Sequence, residues 1–185
     1  MVSYQNHRAY VLHAAWIVPL MPRCYTGGRI RRESHEAIIW SFSLYHYGMP
    51  SHLKAVLDRT IPLVQIRMKE VNGSVQHEAL VDFAKKRILV ICGAGFPDWD
   101  GNFDGLRAQC RNSFGDPTMV CVPETPLMNV SAAREVAEAK LAAFRRAGEE
   151  YARSGKLTEA TIAELEQPMI PREEYLRQHN QAAGI

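Results

Sequence analysis

Three short apolar runs separated by helical patterns constrain this chain more than any other feature. Ala37–Leu44 (AIIWSFSL), Arg87–Cys92 (RILVIC) and 118–122 (TMVCV) have the length and the Ile, Val and aromatic content of strands buried on both faces. After the first run, Pro50 opens a helix at its first position. Leu53, Val56, Leu57 and Ile61 fall on one face of this helix, and Lys54, Asp58 and Arg59 lie off it as solvated or capping charges. FDGLRAQCRNSFG reads as a helix closed by Gly115, between the second and third runs. Strands joined by helical crossovers predict a parallel sheet, with the three runs adjacent in sequence order and helices on both faces.

The rest of the chain fits one such domain. Asn72-Gly73 predicts a small hairpin ahead of the second strand. SAAREVAEAKLAAFRRAGEEYARSGK predicts a long helix capped by Ser131 and stopped by Gly155, with Ala137, Leu141, Phe144, Ala147 and Tyr151 as its core stripe. Thr158 and Pro171 each precede a short helix in a tail over 156–185. A chain of 185 residues, 46% hydrophobic and 23% charged, buries one core, so a single domain over 1–185 is expected, with an atypical segment at 1–35.

Charge and cysteine usage narrow the partners. Twenty-two Lys and Arg against twenty Asp and Glu form no basic block, which argues against nucleic acid. Cys24, Cys92, Cys110 and Cys121 show no CxxC spacing, and two lie in apolar runs, so a reducing cytoplasmic setting is expected, without disulfides and without a metal at Cys24. The run Ala9–Met21 is broken by His13 and Pro19, is too short to span a bilayer, and reads as a soluble core segment, with no membrane partner expected. There is no Gly-x-Ser-x-Gly elbow, so a small α/β hydrolase is set aside.

Two of the strand ends carry glycine-bearing loops, LYHYGMP and CGAGFP. In parallel sheets ligands bind beyond the carboxyl ends of the strands, and glycine there permits close backbone approach. The two loops are expected to lie side by side as a shallow apolar cleft for a planar, aromatic ligand.

AIIWSFSLYHYGMPSHLKAVLDRTIPL, with its tyrosine, its Met-Pro pair, Leu-Lys and Leu-Asp-Arg, resembles the third-strand loop and following helix of the flavodoxin-like NAD(P)H-dependent FMN reductases. The likeness continues through RILVICGAGFP, VPETP and PMIPREEY, over roughly the last four-fifths of the chain. The resemblance implies a three-layer, doubly wound flavodoxin-like α/β domain, likewise a homodimer, that passes hydride from NAD(P)H to FMN and on to a small acceptor. It also implies that Leu44, Tyr45, His46, Tyr47, Gly48 and Met49 form one wall of the flavin site and Gly93, Ala94, Gly95 and Phe96 the other. These would act mostly through backbone groups, with Tyr45 or Tyr47 covering the ring and no side chain serving as catalytic acid or base. His46 and His77 are expected to be packing or surface residues.

The chain departs from the family at its start. The family's first strand and Gly-Ser-rich phosphate loop are missing or atypical, and Ser43 stands where the family places proline. Tyr10–Val18 is the one substitute strand, and Thr26, Gly27, Gly28 and Arg29 are the only substitute phosphate donors. A shortened or rearranged member that binds FMN weakly is therefore expected, and the alternative is a flavodoxin-like scaffold acting through protein contacts.

Overall fold

The computed structural model describes residues 37–71, 73–80 and 86–183. In chain order they form β1 (Ala37–Ser43), α1 (Ser51–Asp58), β2 (Val64–Val71), β3 (Ser74–Ala79), β4 (Arg87–Gly93), α2 (Asp104–Phe114), β5 (Thr118–Val122), α3 (Arg134–Ser154), α4 (Glu159–Glu166) and α5 (Arg172–Ala183). Strands β1, β4 and β5 make a parallel sheet in that order, with Ala37 level with Arg87, Ser43 with Gly93, and Gly93 with Val122. The fold is mixed α/β, with the three apolar runs parallel and adjacent as their sequence predicts.

Strand alternation sends neighbouring residues to opposite faces, and two separate cores result. Ile88, Val90, Cys92, Met119 and Cys121 pack with Trp40 beneath Leu53 of α1 and Leu106, Cys110 and Phe114 of α2. Leu89, Val120 and Val122 pack on the other face with Ala143, Ala147 and Tyr151 of α3 and Leu165 of α4. The cysteines of these cores behave as small hydrophobes: burial pushes the Cys110 thiol up to about 11 and Cys121 to about 12.

Strand β1 departs from the expectation of burial on both faces. Trp40 is buried, but Ile39 is 50% exposed, while Ala37, on the same face of the strand, packs against the second core.

Local signals place most element ends. Gly115 (φ 83°) closes α2 and Gly155 (φ 72°) closes α3, each in a conformation that L side chains rarely adopt. Thr158 caps α4 by accepting the Thr161 N–H at 3.2 Å. Pro50 precedes α1 rather than occupying its first turn, and Ile61 lies past its end, exposed.

The long helix differs more. Ser131–Ala133 forms a separate 3-10 turn, so α3 starts at Arg134 and Ser131 caps nothing. Leu141 is 43% exposed, while Lys140 is buried and donates to the carbonyls of Glu164, Leu165 and Gln167 at 3.3, 3.0 and 2.6 Å. The lysine turns inward because the carboxyl end of α4, packed beside it, leaves carbonyls that need a donor.

The hairpin β2–β3 is antiparallel and turns at Gly73 (φ 78°), as expected; Asn72 lies outside the described residues. So do Tyr10–Val18, Cys24 and Thr26–Arg29. No helix among the described residues is long and apolar enough to cross a membrane.

Candidate functional site

Parallel pairing brings the carboxyl ends of β1 and β4 level, and the two loops that follow are tied together at once. The Leu44 N–H donates to the Gly93 carbonyl at 2.7 Å, and the Ala94 N–H to Val122 at 2.8 Å. All ten residues expected at the site therefore sit at one end of the sheet.

Within the first loop, Tyr45 and Gly48 exchange backbone hydrogen bonds of 3.1 and 3.0 Å around a two-residue turn. Its central residues, His46 (φ 45°) and Tyr47 (φ 62°), are both left-handed, as in a type I′ turn, although neither is glycine. Each costs about 1–2 kcal/mol in this conformation. Packing holds the turn in place: a Cβ at Gly105, in the first turn of α2, would stand 3.2 Å from the Tyr47 carbonyl oxygen. Behind the turn Met49 is buried, and Leu44 packs on the same core.

Of the three loop glycines, Gly93 alone is crowded by a neighbouring side chain. A Cβ at Gly93 would come within 2.6 Å of the Thr125 methyl, so its bare α-carbon admits a neighbouring side chain rather than a ligand. Gly48 and Gly95 have room for a Cβ, with nothing closer than 3.9 and 3.8 Å. Thr125 donates to the Ala94 carbonyl from its N–H (2.9 Å) and its hydroxyl (3.0 Å), and the Glu124 N–H donates to Phe96 (3.1 Å), which knits the second loop to the end of β5.

Side chains divide cleanly. Ala94 and Met49 are buried, whereas Tyr45, Tyr47 and Phe96 are 55%, 55% and 54% exposed. The loops thus carry an open aromatic rim. A hollow between α1 and α2, lined by residues such as Lys54, Leu57, Gln109 and Asn112, involves neither loop.

Backbone donors divide as well. The N–H groups of Leu44, Tyr45, Gly48 and Ala94 are spent within the fold, while those of His46, Tyr47, Gly95 and Phe96 donate to nothing among the described residues. Unspent amides beside exposed aromatic rings can hold a flat ligand with acceptor atoms on its edge.

The carboxyl-terminal segment braces the second loop, a role the sequence reading missed. The Tyr175 hydroxyl donates to the Gly95 carbonyl, and Arg172 pairs with Asp98 through two bonds of 2.6 and 3.3 Å. Glu124, with φ 56° and no solvent exposure, accepts the Met169 and Ile170 N–H groups at 2.6 and 3.2 Å on one oxygen; its other oxygen has no partner among the described residues. Burial raises the Glu124 carboxyl above the ordinary range, against the pull of those two amides and of Lys140. A glutamate confined between two prolines in VPETP is the one signal that could have flagged it.

Asp58 pairs with Lys54 one helical turn away, and Arg59 and His77 are exposed, in line with their reading as surface groups. Among the described residues no cluster of His, Cys, Asp and Glu could hold a metal ion. The chain matches no protein-family model, and a search of curated proteins finds no match either.

Proposed function

We propose that the protein is a flavodoxin-like flavin oxidoreductase, taking hydride from NAD(P)H onto FMN and passing the electrons to a small acceptor. One observation carries this reading: the unspent amides of His46, Tyr47, Gly95 and Phe96 lie on two adjoining loops at the carboxyl ends of parallel strands. Such amides suit the carbonyl- and nitrogen-rich edge of an isoalloxazine, and Tyr45, Tyr47 and Phe96 offer it their rings. The flavin, when bound, supplies the electron-carrying chemistry. The chain's own residues hold and orient the ring, direct amide dipoles at its polar edge, and shield it from water. No side chain is needed to move a proton.

The described residues fit the ring better than the phosphate. Helix α2 starts beside Tyr47 but carries Asp104 in its first turn, an anion where a second anion is unwelcome. Losing two charge-assisted phosphate bonds, each worth about 1.5–3 kcal/mol, weakens binding by roughly a hundredfold or more. FMN and riboflavin should therefore bind the full chain weakly and about equally, with NAD(P)H bleaching the bound flavin. Titrating either flavin while following its fluorescence tests this. Tight FMN binding not shared by riboflavin would move the phosphate to Thr26, Gly27, Gly28 and Arg29. Absence of quenching by either flavin would leave the second reading, a flavodoxin-like scaffold acting through protein contacts, which the exposed hairpin favours.

A further inference from the structure

Three consecutive carbonyls of the second loop are each held from outside it. Ala94 accepts from both the N–H and the hydroxyl of Thr125, at 2.9 and 3.0 Å, and Phe96 accepts from the Glu124 N–H at 3.1 Å. Between them, Gly95 accepts from the Tyr175 hydroxyl and from nothing else among the described residues. A trans peptide is planar, so its N–H points opposite to its carbonyl. Holding the Ala94 carbonyl therefore turns the Gly95 N–H away from Thr125, and holding the Gly95 carbonyl turns the Phe96 N–H away from Tyr175. These are the loop's two unspent amides, and both residues are exposed. Thr125 and Glu124 hold their carbonyls with backbone groups, which no side-chain change removes. The peptide between Gly95 and Phe96 alone depends on a single side chain.

Tyr175 is itself fixed. It is 6% exposed, and its ring stacks on His179 with centres 6.1 Å apart. Earlier in the same segment, Met169 and Ile170 are anchored on Glu124, and Arg172 on Asp98. Burial, and after it the Glu124 carboxyl, raises the Tyr175 phenol, so the hydroxyl keeps its proton and donates.

We infer that Tyr175 is a positioning residue for the flavin: by holding the Gly95 carbonyl, its hydroxyl sets the direction of the Phe96 N–H before the ring arrives. The inference rests on the flavin reading above. A donor fixed in advance needs no reorganisation when charge develops opposite it. Reduction adds negative charge to the polar edge of the ring, so a preset amide favours reduced flavin over oxidised. Tyr175 thereby raises the potential of the bound flavin without touching it. Without the hydroxyl, the peptide is free to turn, and its amide has to be ordered during binding.

Tyr175→Phe in the full chain tests the proposal, because it keeps the ring and its stack on His179 and removes only the hydroxyl. Thr158→Ala, which removes the cap of α4 on Thr161, is the control for lost stability alone. Redox titration of FMN held by saturating protein should place the midpoint potential of Tyr175→Phe about 30 mV below wild type. That shift corresponds to an about tenfold greater loss of affinity for reduced than for oxidised flavin. Thr158→Ala should keep the wild-type potential. A second readout needs no flavin: in ¹⁵N relaxation of the free chain, the order parameter of the Phe96 amide should fall from about 0.85 to below about 0.6 in Tyr175→Phe alone. An unchanged potential, a Phe96 amide as ordered as in wild type, or an equal fall in potential in Thr158→Ala would each overturn the proposal while leaving the flavin reading intact. A wild-type chain that quenches neither FMN nor riboflavin would overturn the flavin reading, and this proposal with it.

Discussion

At residue scale, the turn His46-Tyr47 concentrates strain where the flavin is proposed to sit. Two non-glycine residues at positive φ persist only because the Tyr45–Gly48 bridge and the close approach of Gly105 over-determine the turn. Tyr47→Gly should therefore stabilise the protein by about 1 kcal/mol, since glycine adopts this φ without cost. The same change removes an exposed ring, so flavin quenching should weaken while the urea midpoint rises. A variant that loses stability would show that Tyr47 packs more than it strains. The turn's backbone geometry was not legible in LYHYGMP, whose only glycine, Gly48, has no positive φ. Chain neighbours beyond the turn set its shape.

At the scale of elements, the outer edge of β5, beside which no strand pairs among the described residues, is met at Cys121 by side chains. The Cys121 N–H donates to Glu166 at 2.8 Å, and its carbonyl accepts from the Trp99 indole at 3.1 Å. Arg107 joins both partners, bonding Glu166 at 3.1 Å and lying 4.4 Å from the Trp99 ring centre. With its N–H and carbonyl spent this way, Cys121 offers neither to a foreign strand. Glu166→Ala should cost about 2–3 kcal/mol by orphaning the buried Cys121 N–H and Arg107. It should also raise thioflavin-reactive aggregation on mild heating; an equally soluble variant with unchanged unfolding would refute this role. Helix α4 itself was legible from Thr158, but its docking on β5 was not, because nothing in EATIAELEQ marks which glutamate is inward.

Across the whole molecule, Glu124 ties the carboxyl-terminal segment to the end of the sheet through Met169 and Ile170. Burial raises its folded pKa above the unfolded value, so the stability it contributes is fully present below about pH 4.5 and is lost as pH rises through the folded value. Glu124→Gln cannot ionise and escapes that loss. Urea unfolding between about pH 4.5 and 7.5 should show the variant gaining on wild type as pH rises, a difference that cancels the titration of every other group. A gap independent of pH would mean that Glu124 ionises as easily in the folded chain as in the unfolded one.

What the sequence determined by itself is whatever physics acts over a few residues. The apolar runs at 37–44, 87–92 and 118–122 became parallel neighbours because continuous Val- and Ile-rich segments joined by helices have few other ways to hide. Gly115, Gly155 and Thr158 ended or began their helices because caps and left-handed φ are local matters. The tertiary structure alone decided which side chains meet. Lys140 went inward and Leu141 outward because the carbonyls of α4 demanded a donor, and no helical periodicity contains that demand. Gly93 faces Thr125, and Tyr175 reaches Gly95 across eighty residues, by the packing of separate elements. That the two loops share one end of the sheet could be read in advance because each follows a parallel strand; their bracing could not, because it depends on where a distant segment comes to rest.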